Sequence, residues 1–167
     1  MGSATVQGEL WGRNPQAWAE FQEPQMRPFY DATLDALEPL AGKTLLDAGC
    51  GTGLVIRLAA DRGAVASGLD ASATLLEVAR GRTPGADLRT GDIEALPYDN
   101  GAFHIVTAFN SIQYATDPAA AVAELARVCR AGGPGRPTRR WPPARRPGTP
   151  GPVRLPPRPG RWRTESS

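Results

Sequence analysis

The chain has 167 residues, enough for one domain with a real core, and is 41% apolar and 22% charged. Its net charge of +2 conceals two unlike parts: from Gly132 onward nine arginines face a single acid, Glu165, whereas residues 1–131 carry ten basic against sixteen acidic side chains. An acidic body of that kind argues against a nucleic-acid binder, and no run approaches the ~18 apolar residues of a membrane span.

The N-terminal "MGSATVQGEL" lacks a basic start followed by an apolar stretch, so no signal peptide is expected. Residues 15–41 read as helical with breaks at Pro24 and Pro28; Tyr30, Leu34, Leu37 and Leu40 recur at helical spacing, and Pro39 and Gly42 end the segment. A short apolar strand follows from Thr44 to Asp47. "LVIRLAADRG" is then a helix with Leu54, Val55, Leu58 and Ala59 on one face and Gly63 as its cap. "AVASGLD" is a second strand ending at Asp70. "SATLLEVARG" is a second helix, with Ser72 as N-cap and Gly81 as its stop. "ADLRTGD" gives a third strand and "AFHIVTAFN" a fourth, apolar enough to be buried on both faces. The last element, "TDPAAAVAELARVCRAGG", is a helix capped by Asp117, with Pro118 first and Val122, Leu125 and Cys129 pointing inward.

Strands alternating with helices imply an α/β fold: a doubly wound parallel sheet with right-handed crossovers. The first strand runs into "DAGCGTG", in which Gly49, Gly51 and Gly53 alternate, and a helix follows. Ligands of open α/β sheets collect at such strand ends. The dinucleotide pattern G-x-G-x-x-G would need a glycine where this chain has Leu54, and a glycine-rich loop by itself could be only a tight turn. The neighbours carry more information. Asp47 ends the first strand and Asp70 the second, Asp92 and Ile93 follow the third, and Asn110 follows the fourth. Four strand ends therefore offer polar groups on one rim. An acid after the second strand suits ribose hydroxyls, because a carboxylate accepts two hydrogen bonds, and the loop has no lysine for a polyphosphate. The rim suits a nucleoside without phosphates.

On these motifs, "LLDAGCGTG", "GLDAS", "GDIEALPY" and "FHIVTAFNSIQYATDP", residues 6–131 resemble a class I S-adenosylmethionine-dependent methyltransferase of the methyltransferase-domain family. The resemblance implies a Rossmann-like fold, S-adenosyl-L-methionine as cofactor and a small-molecule methyl acceptor. It implies that the loop, Gly49, Cys50, Gly51 and Gly53, packs against the cofactor's methionine and ribose. By the same resemblance Asp47 helps hold the methionine amino group, Asp70 with Ala71 beside it binds the ribose, and Asp92 and Ile93 frame the adenine. Asn110 completes the expected set. The leading segment, with Trp11, Trp18, Phe21 and Tyr30, is either plain packing or a lid in which Trp11 or Tyr30 shields the sulfonium. His104 departs from the family's usual acid at its position and falls at the start of the fourth strand, opposite the rim, where a catalytic role is not expected. No catalytic base is identified.

Cys50 and Cys129 fit no metal spacing, and both are expected to be reduced thiols of a cytoplasmic protein with no metal site. The family's full sheet has seven strands, and here ten prolines occur from Pro134 on, which excludes a central strand there. The expected organisation is a helical lid segment at 1–42, an incomplete core of about four strands at 43–133, and a disordered tail at 134–167. The tail's Pro, Arg and Gly all have GC-rich codons, so a frameshifted reading of a longer gene is expected; a genuine basic tail is the alternative. Three functions stay open: methyl transfer to a small molecule, a non-catalytic remnant that binds the cofactor at most, and an interaction protein acting through its basic tail, with weak RNA contact as its test.

Overall fold

The structure, a computed structural model, describes residues 3–131. The sequence expectations for 134–167 lie outside the described residues. Four parallel strands form the sheet: β1 (Thr44–Ala48), β2 (Val65–Asp70), β3 (Asp87–Thr90) and β4 (Ile105–Thr107), in the order β3-β2-β1-β4. Parallel neighbours need crossovers, and α4 (Leu54–Asp61) and α5 (Ala73–Arg82) supply two of them. All four strands thus end on the same edge. In register, Asp47 lies beside Gly68 on one side and Thr107 on the other.

β1 is central, and its alternation builds two faces of core. Leu45 packs with Tyr30, Leu34, Leu40 and Ile56, while Leu46 packs with Leu69, Leu96, Phe103 and Val128. Both leucines are fully buried. Burial of side chains this size contributes about 1.5–3 kcal/mol each. That anchors the strand carrying the glycine loop.

The leading segment is more helical than the sequence reading had it. α1 (Ala4–Trp11) precedes α2 (Pro15–Ala17), a π-helical turn (Trp18–Gln22) and α3 (Glu23–Ala36), and neither Pro24 nor Pro28 breaks the run. Pro24 stands in the first turn of α3, where a missing N–H is harmless, and the wide π turn before it is closed by the Glu23 N–H on the Trp18 carbonyl. Pro28 sits inside α3 and omits one bond of the ladder. The helix ends at Ala36, short of Pro39.

Three further expectations are corrected. Gly81 does not stop α5: the helix runs to Arg82, and Thr83 ends it by donating both its N–H and its hydroxyl to the Ala79 carbonyl. β4 is three residues long: Phe103, before it, bridges Cys129 rather than β1, and Asn110, after it, stands at φ 52, a left-handed region that asparagine tolerates. In α6 (Pro118–Val128) the inward face is Ala121, Leu125 and Val128, spaced by four and three residues, whereas Val122 is 52% exposed. Cys129 caps α6 and pairs in a bridge with Phe103. The expected caps at Ser72 and Asp117 form, Asp117 accepting from the N–H groups of Ala119 and Ala120 at 2.9 and 3.1 Å.

Candidate functional site

The loop after β1 is held by the end of β2. The N–H groups of Gly49 and Cys50 both donate to the Leu69 carbonyl, at 2.7 and 3.0 Å, and the Gly51 N–H donates to Asp70 Oδ2 at 2.8 Å. Gly49, Gly51 and Gly53 have φ of 83°, 54° and 83°, the left-handed region in which side chains are strained. Their surroundings differ. A Cβ on Gly49 would lie 2.3 Å from Ser111 Cβ, and one on Gly53 would lie 2.9 Å from Ala79 Cβ. A Cβ on Gly51 would meet nothing nearer than Trp18 Nε1, at 3.9 Å. Two of the glycines are therefore bare for the sake of the protein's own packing, and only Gly51 opens onto free space.

Asp47 and Asp70 form the floor beneath that opening. Asp47 is 2% exposed, and Thr107 donates its hydroxyl to Asp47 Oδ1 at 2.8 Å. Burial pushes its carboxyl up to about 7; the Thr107 bond opposes this and the charge of Asp70 adds to it. Asp70 accepts from Gly51 through Oδ2 and from the Ser72 N–H through Oδ1, at 2.8 Å each. Burial raises its pKa, while the neighbouring N–H groups of Ser72, Gly51 and Ala71 lower it. Each oxygen of Asp70 has one backbone partner and keeps a further lone pair.

The leading helices cover this floor. Trp11 meets Trp18 and Tyr114 edge-on, with ring centroids 5.2 and 5.4 Å apart, and Tyr30 lies 4.8 Å from Phe109. Burial, then the charges of Asp47 and Glu23, raise the Tyr30 pKa. Between floor and cover lies a cleft that opens to solvent. Among the residues expected from sequence, Asp47, Gly49, Cys50, Gly51, Asp70, Ala71, Asp92, Ile93 and Asn110 all line it; Gly53 does not, since its α-carbon faces α5. Cys50 is buried, its thiol pKa pushed well up by burial, and its sulfur packs beneath Gly68. Asp92 Oδ1 accepts from the Glu94 N–H at 2.9 Å in a local turn.

Sequence reasoning missed Gln7, Glu23, Ser111 and Tyr114 as lining residues. "SIQY", directly after the fourth strand, was the available signal for the last two; nothing local marks Gln7 or Glu23. His104 sits at the far end of β4, where Thr44 N–H donates to its Nδ1 at 3.0 Å and Arg130 Nη1 lies 2.8 Å from Nε2. It does not line the cleft. Among the described residues no group of three or more His, Cys, Asp and Glu side chains could hold a metal ion, and no helix is long and apolar enough to cross a membrane.

Residues 46–134 match the family model described as "Methyltransferase domain". The chain is 42% identical over 92 residues to a malonyl-[acyl-carrier protein] O-methyltransferase of Serratia marcescens, covering 55% of this chain and 36% of that one. It is 35% identical over 115 residues to a ubiquinone biosynthesis O-methyltransferase of Thiobacillus denitrificans, covering 65% and 49%. The chain thus spans between a third and a half of the length of these curated relatives. Among solved structures it is similar to a geranyl diphosphate methyltransferase in complex with GPP and sinefungin, with a TM-score of 0.59 and 28% identity over 64% of this chain and 42% of that one. The parallel sheet with its loop clasped by Asp70, and a family match over more than half of its residues, make this chain a member of the methyltransferase-domain family of class I S-adenosylmethionine-dependent methyltransferases.

Proposed function

We propose that this chain binds S-adenosyl-L-methionine in the cleft and serves methyl transfer to a small-molecule acceptor. The observation that carries the reading is the posture of Asp70: two backbone N–H groups hold its carboxylate at the cleft floor, with lone pairs left for a pair of ribose hydroxyls. The residues present fit that cofactor. Gly51 leaves its backbone open to a ligand, and Asp47 offers a buried carboxylate to an ammonium group. The rim also holds Asp92 and Ile93 for the base.

When bound, the cofactor supplies an electrophilic methyl on a sulfonium, open to in-line attack by an acceptor atom. The protein's share is alignment and dryness. Gly51 and Asp70 set the depth of the ligand, Asp47 orients its amino group, and the Trp11, Trp18 and Tyr30 rings exclude water from above. Asp47, Asp70 and Asp92 line the cleft with no lysine or arginine among its lining residues, which favours a cationic ligand.

Calorimetric titration of the full chain with S-adenosylmethionine and S-adenosylhomocysteine tests the reading, alongside a methyl-transfer assay on small acceptors. Saturable binding is expected. Binding without turnover on any acceptor would favour a cofactor-binding protein over an enzyme, and no binding of either compound would overturn the reading.

A further inference from the structure

Glu23 is the one acid of the leading segment that is buried, at 5% exposure, and it touches three parts of the molecule. Thr52, in the glycine loop and 1% exposed, donates its hydroxyl to Glu23 Oε1. Arg82, in the last turn of α5, donates through Nη1 to Glu23 Oε2 at 2.6 Å, and the same nitrogen lies 3.3 Å from the Thr52 carbonyl. Through its own N–H, Glu23 closes the π turn on the Trp18 carbonyl. Trp18 Nε1 is in turn the atom nearest to where a side chain on Gly51 would stand. A continuous line of contacts therefore runs from Arg82 and Thr52, through Glu23 and the π turn, to the indole above Gly51.

With Glu23 buried and the Arg82 side chain 32% exposed, this ion pair gives little net stability, because desolvation of the carboxylate and solvent screening of the guanidinium offset the attraction; apolar residues of similar volume would hold the helices together as well. What an apolar contact would lack is direction. Two hydrogen bonds on separate oxygens fix the carboxylate's rotation, and with it the phase of the π turn. Such turns recur at functional sites.

We propose that Glu23 is a positioning residue for the cofactor: clasped by Thr52 and Arg82, it registers the leading helices on the glycine loop and sets Trp18 over Gly51, where the ligand packs. The proposal rests on the cofactor reading above. Arg82 supports Glu23 from outside the cleft, so its replacement tests the clasp without touching the ligand.

The experiment titrates full-length wild type, Arg82→Met, Glu23→Gln and Trp18→Phe with S-adenosylhomocysteine, following tryptophan fluorescence, with folding monitored by circular dichroism. The Trp18-dependent part of the signal is the part lost in Trp18→Phe. Arg82→Met is expected to weaken binding about tenfold and to shrink the Trp18-dependent change at saturating ligand. Glu23→Gln keeps an acceptor for Thr52 and is expected to fall between Arg82→Met and wild type. A cluster that only stabilises the fold would lower the melting temperature and leave affinity and the Trp18 signal of the folded chain within twofold of wild type; that result overturns the proposal, as does failure of both Arg82→Met and Glu23→Gln to fold. Absence of binding by wild type overturns the cofactor reading and this proposal together, whereas wild-type binding with unchanged variants overturns this proposal alone.

Discussion

The floor and the cover of the cleft are built on different principles. The floor stands at the ends of β1 and β2, and its acids are fixed from within the sheet and its loops: Asp70 by the N–H groups of Gly51 and Ser72, Asp47 by the hydroxyl of Thr107 on the neighbouring strand. The cover comes from the leading helices and contributes aromatic edges and one buried acid, Glu23. Its outer side leaves Phe21 and Phe29 65% and 55% exposed. The floor is locked into the sheet, whereas the cover is joined to the core by rings and by side-chain links at separate points: Glu23 with Thr52 and Arg82, Thr74 with the Gly12 carbonyl, and Arg62 with Asp31 and Asp35.

The sharpest way to break this contrast is at Gly51. Gly51→Val puts a branched side chain into the open space under Trp18 at a φ of 54°, and we expect binding of S-adenosylhomocysteine to fall below detection in calorimetry while circular dichroism stays that of a folded chain. Gly53→Ala should do the reverse, since its Cβ meets Ala79: stability should drop by about 1–3 kcal/mol in urea unfolding with affinity of the folded chain retained. A Gly51→Val chain that still binds would show that the loop is only a turn.

Next in size is Asp70→Ala, expected to weaken cofactor binding by about 1–3 kcal/mol, because ribose hydroxyls and the Gly51 N–H lose their acceptor together. Unchanged affinity in a titration would remove Asp70 as the ribose ligand.

Asp47 sharpens the comparison through pH. Its folded pKa, about 7, lies above the ordinary carboxyl value, so the folded chain holds this proton more tightly than the unfolded chain does. The contribution to stability is fully present below pH ~4 and is lost as pH rises toward 7. Cofactor binding should run the opposite way, since an ammonium group is matched by the ionised carboxylate, and affinity should increase between pH 6 and pH 8 by about tenfold. Asp47→Asn should flatten both profiles and raise the stability of the ligand-free chain at pH 8 by about 1–2 kcal/mol, read by urea unfolding. A wild-type affinity that is level across this range would separate Asp47 from the ligand.

The smallest effect belongs to the cover. Trp11→Ala removes two edge-on ring contacts and part of the roof, and we expect about 0.5–1.5 kcal/mol of lost affinity with a melting temperature close to wild type. A large fall in melting temperature with intact affinity would make the leading helices plain packing.

Legibility followed the same division. β1, β2, α4 and the caps at Ser72 and Asp117 could be read locally, because apolar runs, strand-end acids and capping residues each act over a few positions. The inward face of α6 could not: "AAAVAELARV" offers apolar residues on several sides, and which stripe is buried depends on the crossing against Leu46, Leu69 and Phe103, which takes Val128 and leaves Val122 outside. Pro24 and Pro28 misled for a related reason. A proline opposes a helix by one missing bond and one clash, and packing of Tyr30 and Leu34 into the core outweighs that within α3.

The sequence by itself determined the parallel α/β order, the rim on which Asp47, Asp70, Asp92 and Asn110 gather, and the need for glycine in the loop, because strand alternation and strand-end chemistry are local properties. Only the tertiary structure decided what each glycine is for. Gly49 and Gly53 yield to Ser111 and Ala79, residues 62 and 26 positions away, and the joining of Glu23 to Thr52 and Arg82 spans 59 positions of chain. Contacts at such separations leave no periodicity behind; they exist because the sheet brings helix ends and loops to one edge, and a close approach there is set by packing rather than by any neighbour in the sequence.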